Sequence, residues 1–124
     1  MYIYYDSKTG NVERFVQKMK KLRPEWNYVK IDPYLQIENE GHFLTFTTKI
    51  GQIPETTFNF LENGKNKEYL KSVSSSGNRN WGVHFAEAAN KIEKEYNIPL
   101  LMKFELSGTN TEVENYINYL ENNK

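Results

Sequence analysis

The residues of this chain best suited to chemistry lie in three polar segments that each carry glycine. The first, Ser7-Lys8-Thr9-Gly10-Asn11, offers two hydroxyls, a carboxamide and consecutive backbone N–H groups. With a helix N-terminus behind it, such a nest can hold a phosphate dianion without an obligatory arginine, and Gly10 permits close backbone approach. A helix N-cap by Thr9 with no ligand accounts for the same residues equally well. The second segment is Thr47-Thr48-Lys49-Ile50-Gly51, and the third runs from Ser75 through Ser76, Gly77, Asn78, Arg79, Asn80 and Trp81 to Gly82.

Other chemistries are poorly supplied. The chain has no cysteine, which removes disulfides, iron–sulfur clusters, thiolate zinc sites and cysteine nucleophiles, so any redox chemistry requires a bound cofactor. His42 and His84 are the only imidazoles; with no metal-ligand spacing around them, they read as structural or solvent-facing. Asp6 ends the first apolar run in the manner of a phosphoacceptor, but the second acid that such chemistry needs is absent from Ser7-Lys8-Thr9. Sixteen basic residues balance sixteen acidic ones, which argues against general binding to nucleic acid or to an anionic membrane. Lys18-Met19-Lys20-Lys21 is a solvated helix face or a partner contact. No secretory segment is signalled at the N-terminus, and a cytoplasmic protein is expected.

The elements that must position these segments follow from periodicity. Tyr2–Tyr5 reads as a strand, and Val12, Phe15, Val16, Met19 and Leu22 recur at helical spacing up to Pro24. Strands are expected at Trp26–Ile31 and His42–Thr47, then a helix from Pro54 to about Asn63, where Asn63-Gly64 is a stop. A fourth strand is expected at Tyr69–Ser74, followed by a long helix carrying Phe85, Ala88, Ala89, Ile92 and Tyr96. A fifth covers Pro99–Leu106, and Val113, Tyr116, Ile117 and Leu120 face the core from a last helix. With 124 residues, one domain over residues 1–124 is expected. Alternating strands and helices imply a mostly parallel five-stranded sheet with helices on both faces, and a doubly wound order of 2-1-3-4-5 is expected. The three polar segments then meet at the carboxyl ends of the strands, beside the switch point.

Ser-x-Thr-Gly-Asn directly after the first strand resembles the FMN phosphate loop of flavodoxins. Ser76-Gly77-Asn78-Arg79-Asn80-Trp81-Gly82, Lys103-Phe104-Glu105-Leu106-Ser107-Gly108-Thr109 and the middle segment Thr47-Thr48-x-x-Gly51-x-x-Pro54-Glu55 are similar to signatures of the NrdI flavodoxins, and together they span nearly the whole chain. The resemblance implies FMN as cofactor, held by Ser7, Lys8, Thr9, Gly10, Asn11 and Val12, by Thr47, Thr48, Lys49, Ile50 and Gly51, and by Ser76, Gly77, Asn78, Asn80, Trp81 and Gly82. Asn78 and Asn80 can bond the polar edge of the isoalloxazine or serve as turn residues, and Trp81 can lie against the flavin or anchor its loop. One departure stands out: Lys49 occupies a position where the family has glycine. A peptide bond of this loop can flip toward reduced flavin N5, and a side chain at positive φ costs roughly 1 to 2 kcal/mol.

The function implied is that of an accessory redox protein rather than a stand-alone enzyme. Its FMN, reduced by an electron donor, would generate superoxide or peroxide from molecular oxygen for assembly of the dimanganese tyrosyl-radical cofactor. The partner implied is the small subunit of class Ib ribonucleotide reductase. A general one-electron carrier is the alternative, and a flavin-free binding module a third. Charge separates the first two, because carriers ring the flavin with carboxylates. Here Lys8, Lys49 and Arg79 stand in or beside the expected flavin loops, and each cation about 8 Å from the flavin favours its reduced anion by up to ~2 kcal/mol before screening.

Overall fold

The computed structural model describes residues 1–49 and 51–122. Among the described residues the strands and α-helices are, in chain order, β1 Tyr2–Tyr5, α1 Asn11–Leu22, β2 Asn27–Lys30, β3 Gly41–Phe46, α2 Glu55–Glu62, β4 Leu70–Gly77, α3 Glu87–Tyr96, β5 Leu100–Glu105 and α4 Asn110–Asn122, with helices following every strand but β2. The strands pair in parallel in the order β2-β1-β3-β4-β5, as expected. No described helix is long and apolar enough to cross a membrane.

Each crossover helix lays one apolar stripe on the sheet. Val12, Phe15, Val16 and Met19 of α1 join Val113, Tyr116, Ile117 and Leu120 of α4 on one face. Phe60 and Leu61 of α2 join Ala89 and Ile92 of α3 on the other. Phe15 is the centre of the first layer, stacked on Phe104 at 4.1 Å between centroids and edge-on to Tyr116 at 5.7 Å. Burying one such ring is worth roughly 1.5 to 3 kcal/mol, so the two layers fix how the helices hand the chain to the loops.

Two boundaries differ from expectation by more than one residue. β4 runs to Gly77, three residues past the expected Ser74, so Ser75, Ser76 and Gly77 are sheet rather than loop. Serine has a weak strand propensity, but here each hydroxyl is occupied: Ser72 bonds His42 Nδ1 at 2.7 Å, Ser75 donates to Ala86 O at 2.7 Å, and Ser76 donates to Leu106 O at 2.5 Å. Ser74 accepts the Met102 N–H at 3.1 Å. α3 begins only at Glu87. Phe85 precedes it, after a 3-10 stretch at Arg79–His84, because Ala86 turns the chain at φ +49°.

Candidate functional site

Gly10 stands at the N-cap position of α1 with φ +94° and offers no side chain to cap it. Ser7 supplies the cap instead, its Oγ accepting the Glu13 N–H at 3.2 Å. Thr9 is therefore not the cap; it is exposed, and its hydroxyl has no partner among the described residues. Asn11 Oδ1 accepts from Arg14 Nη2 at 2.6 Å and from Ser107 at 3.0 Å. Beneath the loop, buried Asp6 accepts from Thr57 Oγ1 at 2.7 Å, and Thr57 is bonded to Thr45 at 2.7 Å. Burial pushes the Asp6 carboxyl up, opposed by the Thr57 bond and by Lys30. Asp6 thus ties β1 to β3 and α2 instead of presenting a nucleophile.

The β3–α2 loop is closed by backbone bonds in both directions between Thr48 and Gln52, each 2.9 Å. Within it Lys49 takes φ +48°, so the side chain occupies a left-handed position at a cost of roughly 1 to 2 kcal/mol. Gly51, at φ +79°, abuts the Glu87 carboxylate so closely that a Cβ would overlap it. That carboxylate bonds His84 Nδ1 at 2.7 Å. The His84 bond holds the Glu87 carboxyl below the usual carboxylate range, with Lys91 and Lys103 adding to it. Thr47 Oγ1 accepts the Ala88 N–H at 3.3 Å and Ser75 Oγ accepts that of Ala89 at 3.2 Å. Side chains of β4 and of the residue after β3 thereby cap α3, which has no cap of its own.

The β4–α3 loop turns on Asn78, whose side chain accepts the Asn80 N–H at 2.9 Å while its carbonyl accepts the Trp81 N–H at 3.0 Å. Arg79 leans away, 3.7 Å from Glu105 and 4.5 Å over the Phe85 ring. Its charge is directed to Glu105 and the Phe85 ring, and Lys8 and Lys49 are the cations that line the cleft between the loops.

These loops enclose a cleft of about 360 Å³ lined by Lys8, Thr9, Asn11, Thr47, Thr48, Lys49, Ser76, Gly77, Asn78 and Trp81, together with Phe46 and Leu106. Its lining contains no carboxylate. Of the other residues expected here, Ser7 caps α1, Gly10 shapes the turn, Gly51 packs on Glu87, and Val12 is in the core beneath. Asn80 and Gly82 are exposed beyond the rim, and Ile50 lies outside the described residues. Leu106 and Ser107, from the turn after β5, and Arg14 were not expected at the site. The signal for Leu106 and Ser107 was the Lys103–Thr109 segment that carries the family resemblance, whereas nothing local in the sequence pointed to Arg14. A larger cavity of about 670 Å³ opens on the α2 side of the Thr48–Lys49 loop, where Asp6, Asp32 and Glu55 face Lys8, Lys30 and Lys49. Only the smaller cleft gathers all three polar segments. No cluster of three or more metal-ligating side chains occurs among the described residues.

The volume fits a compact ligand, ordinary pockets spanning roughly 300 to 1,000 Å³. The lining combines hydroxyl, amide and backbone donors at the α1 end with flat apolar walls at Trp81, Phe46 and Leu106, which suits a flat ring system carrying a phosphate. Residues 3–118 match the family model described as NrdI Flavodoxin like. Protein NrdI of Bacillus licheniformis is 45% identical over 119 residues, covering 96% of this chain and 86% of that protein. A short-chain flavodoxin associated with a non-canonical PDU bacterial microcompartment superposes with a TM-score of 0.67 at 17% identity, covering 97% of this chain and 93% of that one. Oxidised Flavodoxin 2 from Bacillus cereus does so with 0.65 at 19%, covering 95% and 92%. The chain belongs to the NrdI flavodoxin-like family, which implies a flavin cofactor and a link to ribonucleotide reductase.

Proposed function

We propose that the chain is an FMN protein that supplies reducing equivalents, or superoxide or peroxide made from oxygen, for assembly of the dimanganese tyrosyl-radical cofactor in the small subunit of class Ib ribonucleotide reductase. The observation that carries this reading over a general electron carrier is the cleft lining, which holds Lys8 and Lys49 and no carboxylate. When bound, the flavin supplies the electron chemistry. The chain supplies the rest. Thr9 and Asn11, with the N–H groups at the start of α1, bind and orient the phosphate. Trp81, Phe46 and Leu106 exclude water from the ring, and the two lysines favour a negatively charged, reduced ligand by Coulomb attraction.

Two measurements test it. The purified protein should absorb in the visible with near-stoichiometric FMN, and Thr9→Ala should weaken FMN by roughly 1.5 to 3 kcal/mol, the value of a hydrogen bond to a charged group. Reoxidation of the reduced protein in air should then yield tyrosyl radical in a manganese-loaded small subunit. Radical yield no greater than with a general carrier flavodoxin would favour the carrier reading, and colourless protein that binds no flavin would remove both.

A further inference from the structure

We infer that Arg14 and Ser107 are positioning residues for the flavin phosphate, locking the Asn11 carboxamide with its amide nitrogen turned to the ligand and thereby favouring a phosphorylated flavin over riboflavin. The inference rests on the flavin reading of the cleft. Three side chains close a ring of hydrogen bonds: Arg14 Nε donates to Ser107 Oγ at 2.8 Å, Arg14 Nη2 donates to Asn11 Oδ1 at 2.6 Å, and Ser107 Oγ donates to the same Oδ1 at 3.0 Å. A guanidinium has only donors, so the Asn11 atom it touches must be the carbonyl oxygen. Ser107 accepts from Nε and has its own hydrogen left for that oxygen. Both lone pairs of Oδ1 are then occupied.

The Asn11 amide nitrogen can only donate, and it has no partner among the described residues, although Asn11 lines the cleft. Nη1 of the same guanidinium fills the space a Cβ on Gly10 would need, so the fork also covers the turn from outside. Lys18 Nζ, donating to Gly108 O at 2.7 Å, holds the turn after β5 against α1. The Ser107-Gly108-Thr109 segment, distant in sequence from the phosphate loop, thus acquires a task there. A lysine at position 14 keeps the charge but lacks the planar fork that serves Ser107 and Asn11 together.

The test is a fluorescence titration of the full chain, stripped of flavin, with FMN and separately with riboflavin. Arg14→Gln, Arg14→Lys and Ser107→Ala should each lose about tenfold or more in FMN affinity, with riboflavin affinity unchanged. The double variant Arg14→Gln/Ser107→Ala should fall little below the worse single one, since the ring acts as a unit. Ser107→Ala removes only a hydroxyl and keeps the test open if an Arg14 variant fails to fold. Wild-type FMN affinity in Arg14→Lys would overturn the inference in favour of charge alone. Equal losses for riboflavin, or no loss for FMN, would overturn it too. Wild-type protein that binds neither flavin defeats the flavin reading itself, and with it this inference.

Discussion

The two ends of the one sheet are built differently. At the carboxyl ends of the strands the backbone turns through positive φ at Gly10, Lys49, Gly51, Gly82, Ala86, Leu106 and Gly108. At the opposite end, among the described residues, only Gly64 and Asn97 do so, each just past a helix, where such a turn is an ordinary stop. Three of the strained positions at the cleft end carry side chains, Lys49, Ala86 and Leu106. Backbone strain of this kind persists where surrounding contacts over-determine it, and it gathers at ligand sites. The amino end carries a different liability: His42, buried against Ser72. One end of the sheet stores its cost in dihedral angles and the other in a titratable group.

The contrast breaks most sharply at Gly51. Gly51→Ala adds a Cβ at φ +79° that overlaps the Glu87 carboxylate, and it should cost roughly 2 to 4 kcal/mol in a denaturant melt. Glu87→Ala in the same chain should recover part of that loss. Strict additivity of the two changes would show that the carboxylate is not what confines Gly51.

At the other end the effect should depend on pH. Burial, assisted by Lys71, lowers the His42 imidazole to about 4, against roughly 6.5 in an unfolded chain. Between those values the unfolded state binds more protons, so the stability held above about pH 6.5 falls by up to about 3 kcal/mol as the pH drops toward 4. Subtracting the His42→Gln profile from that of the wild type isolates this loss; a flat difference would place the acid sensitivity elsewhere.

Smaller changes sharpen the comparison within the cleft end. Ser7→Ala removes the bond to the Glu13 N–H and should cost about 1 kcal/mol, the usual worth of an N-terminal cap. Lys49→Gly relieves a left-handed side chain and should raise stability by up to about 1 kcal/mol, glycine's extra chain entropy offsetting part of the gain. A loss of stability there would mean that the Lys49 side chain makes contacts worth more than its strain.

The fold was legible because its signals are periodic. Stripes such as Val12, Phe15, Val16 and Met19 mark a buried helix face whatever lies opposite, and strands separated by such helices mark a parallel sheet covered on both faces. The end of β4 was not legible, because Ser75, Ser76 and Gly77 look like loop residues until Ala86, Ala89 and Leu106 are seen to satisfy them. At the site, the polar loops announced themselves by composition, whereas Arg14 and Ser107 matter through a meeting across ninety-three positions of sequence. No local pattern encodes that meeting. The charge of Arg79 was likewise legible, but its pairing with Glu105 was not. The left-handed turn at Lys49 was foreshadowed only through the family resemblance, in which that position is a glycine.

The serine strand has one more consequence, in the exchange of amide hydrogens. Where the register shifts between Val73 and Ser74, the Met102 N–H is bonded by the Ser74 hydroxyl. β5 is an edge strand, and its C-terminal end leads directly into Leu106 and Ser107. Deuterium uptake at Met102 therefore acts as an internal gauge of how often this edge opens, and an opening there would carry Ser107 away from Asn11 without disturbing the centre of the sheet.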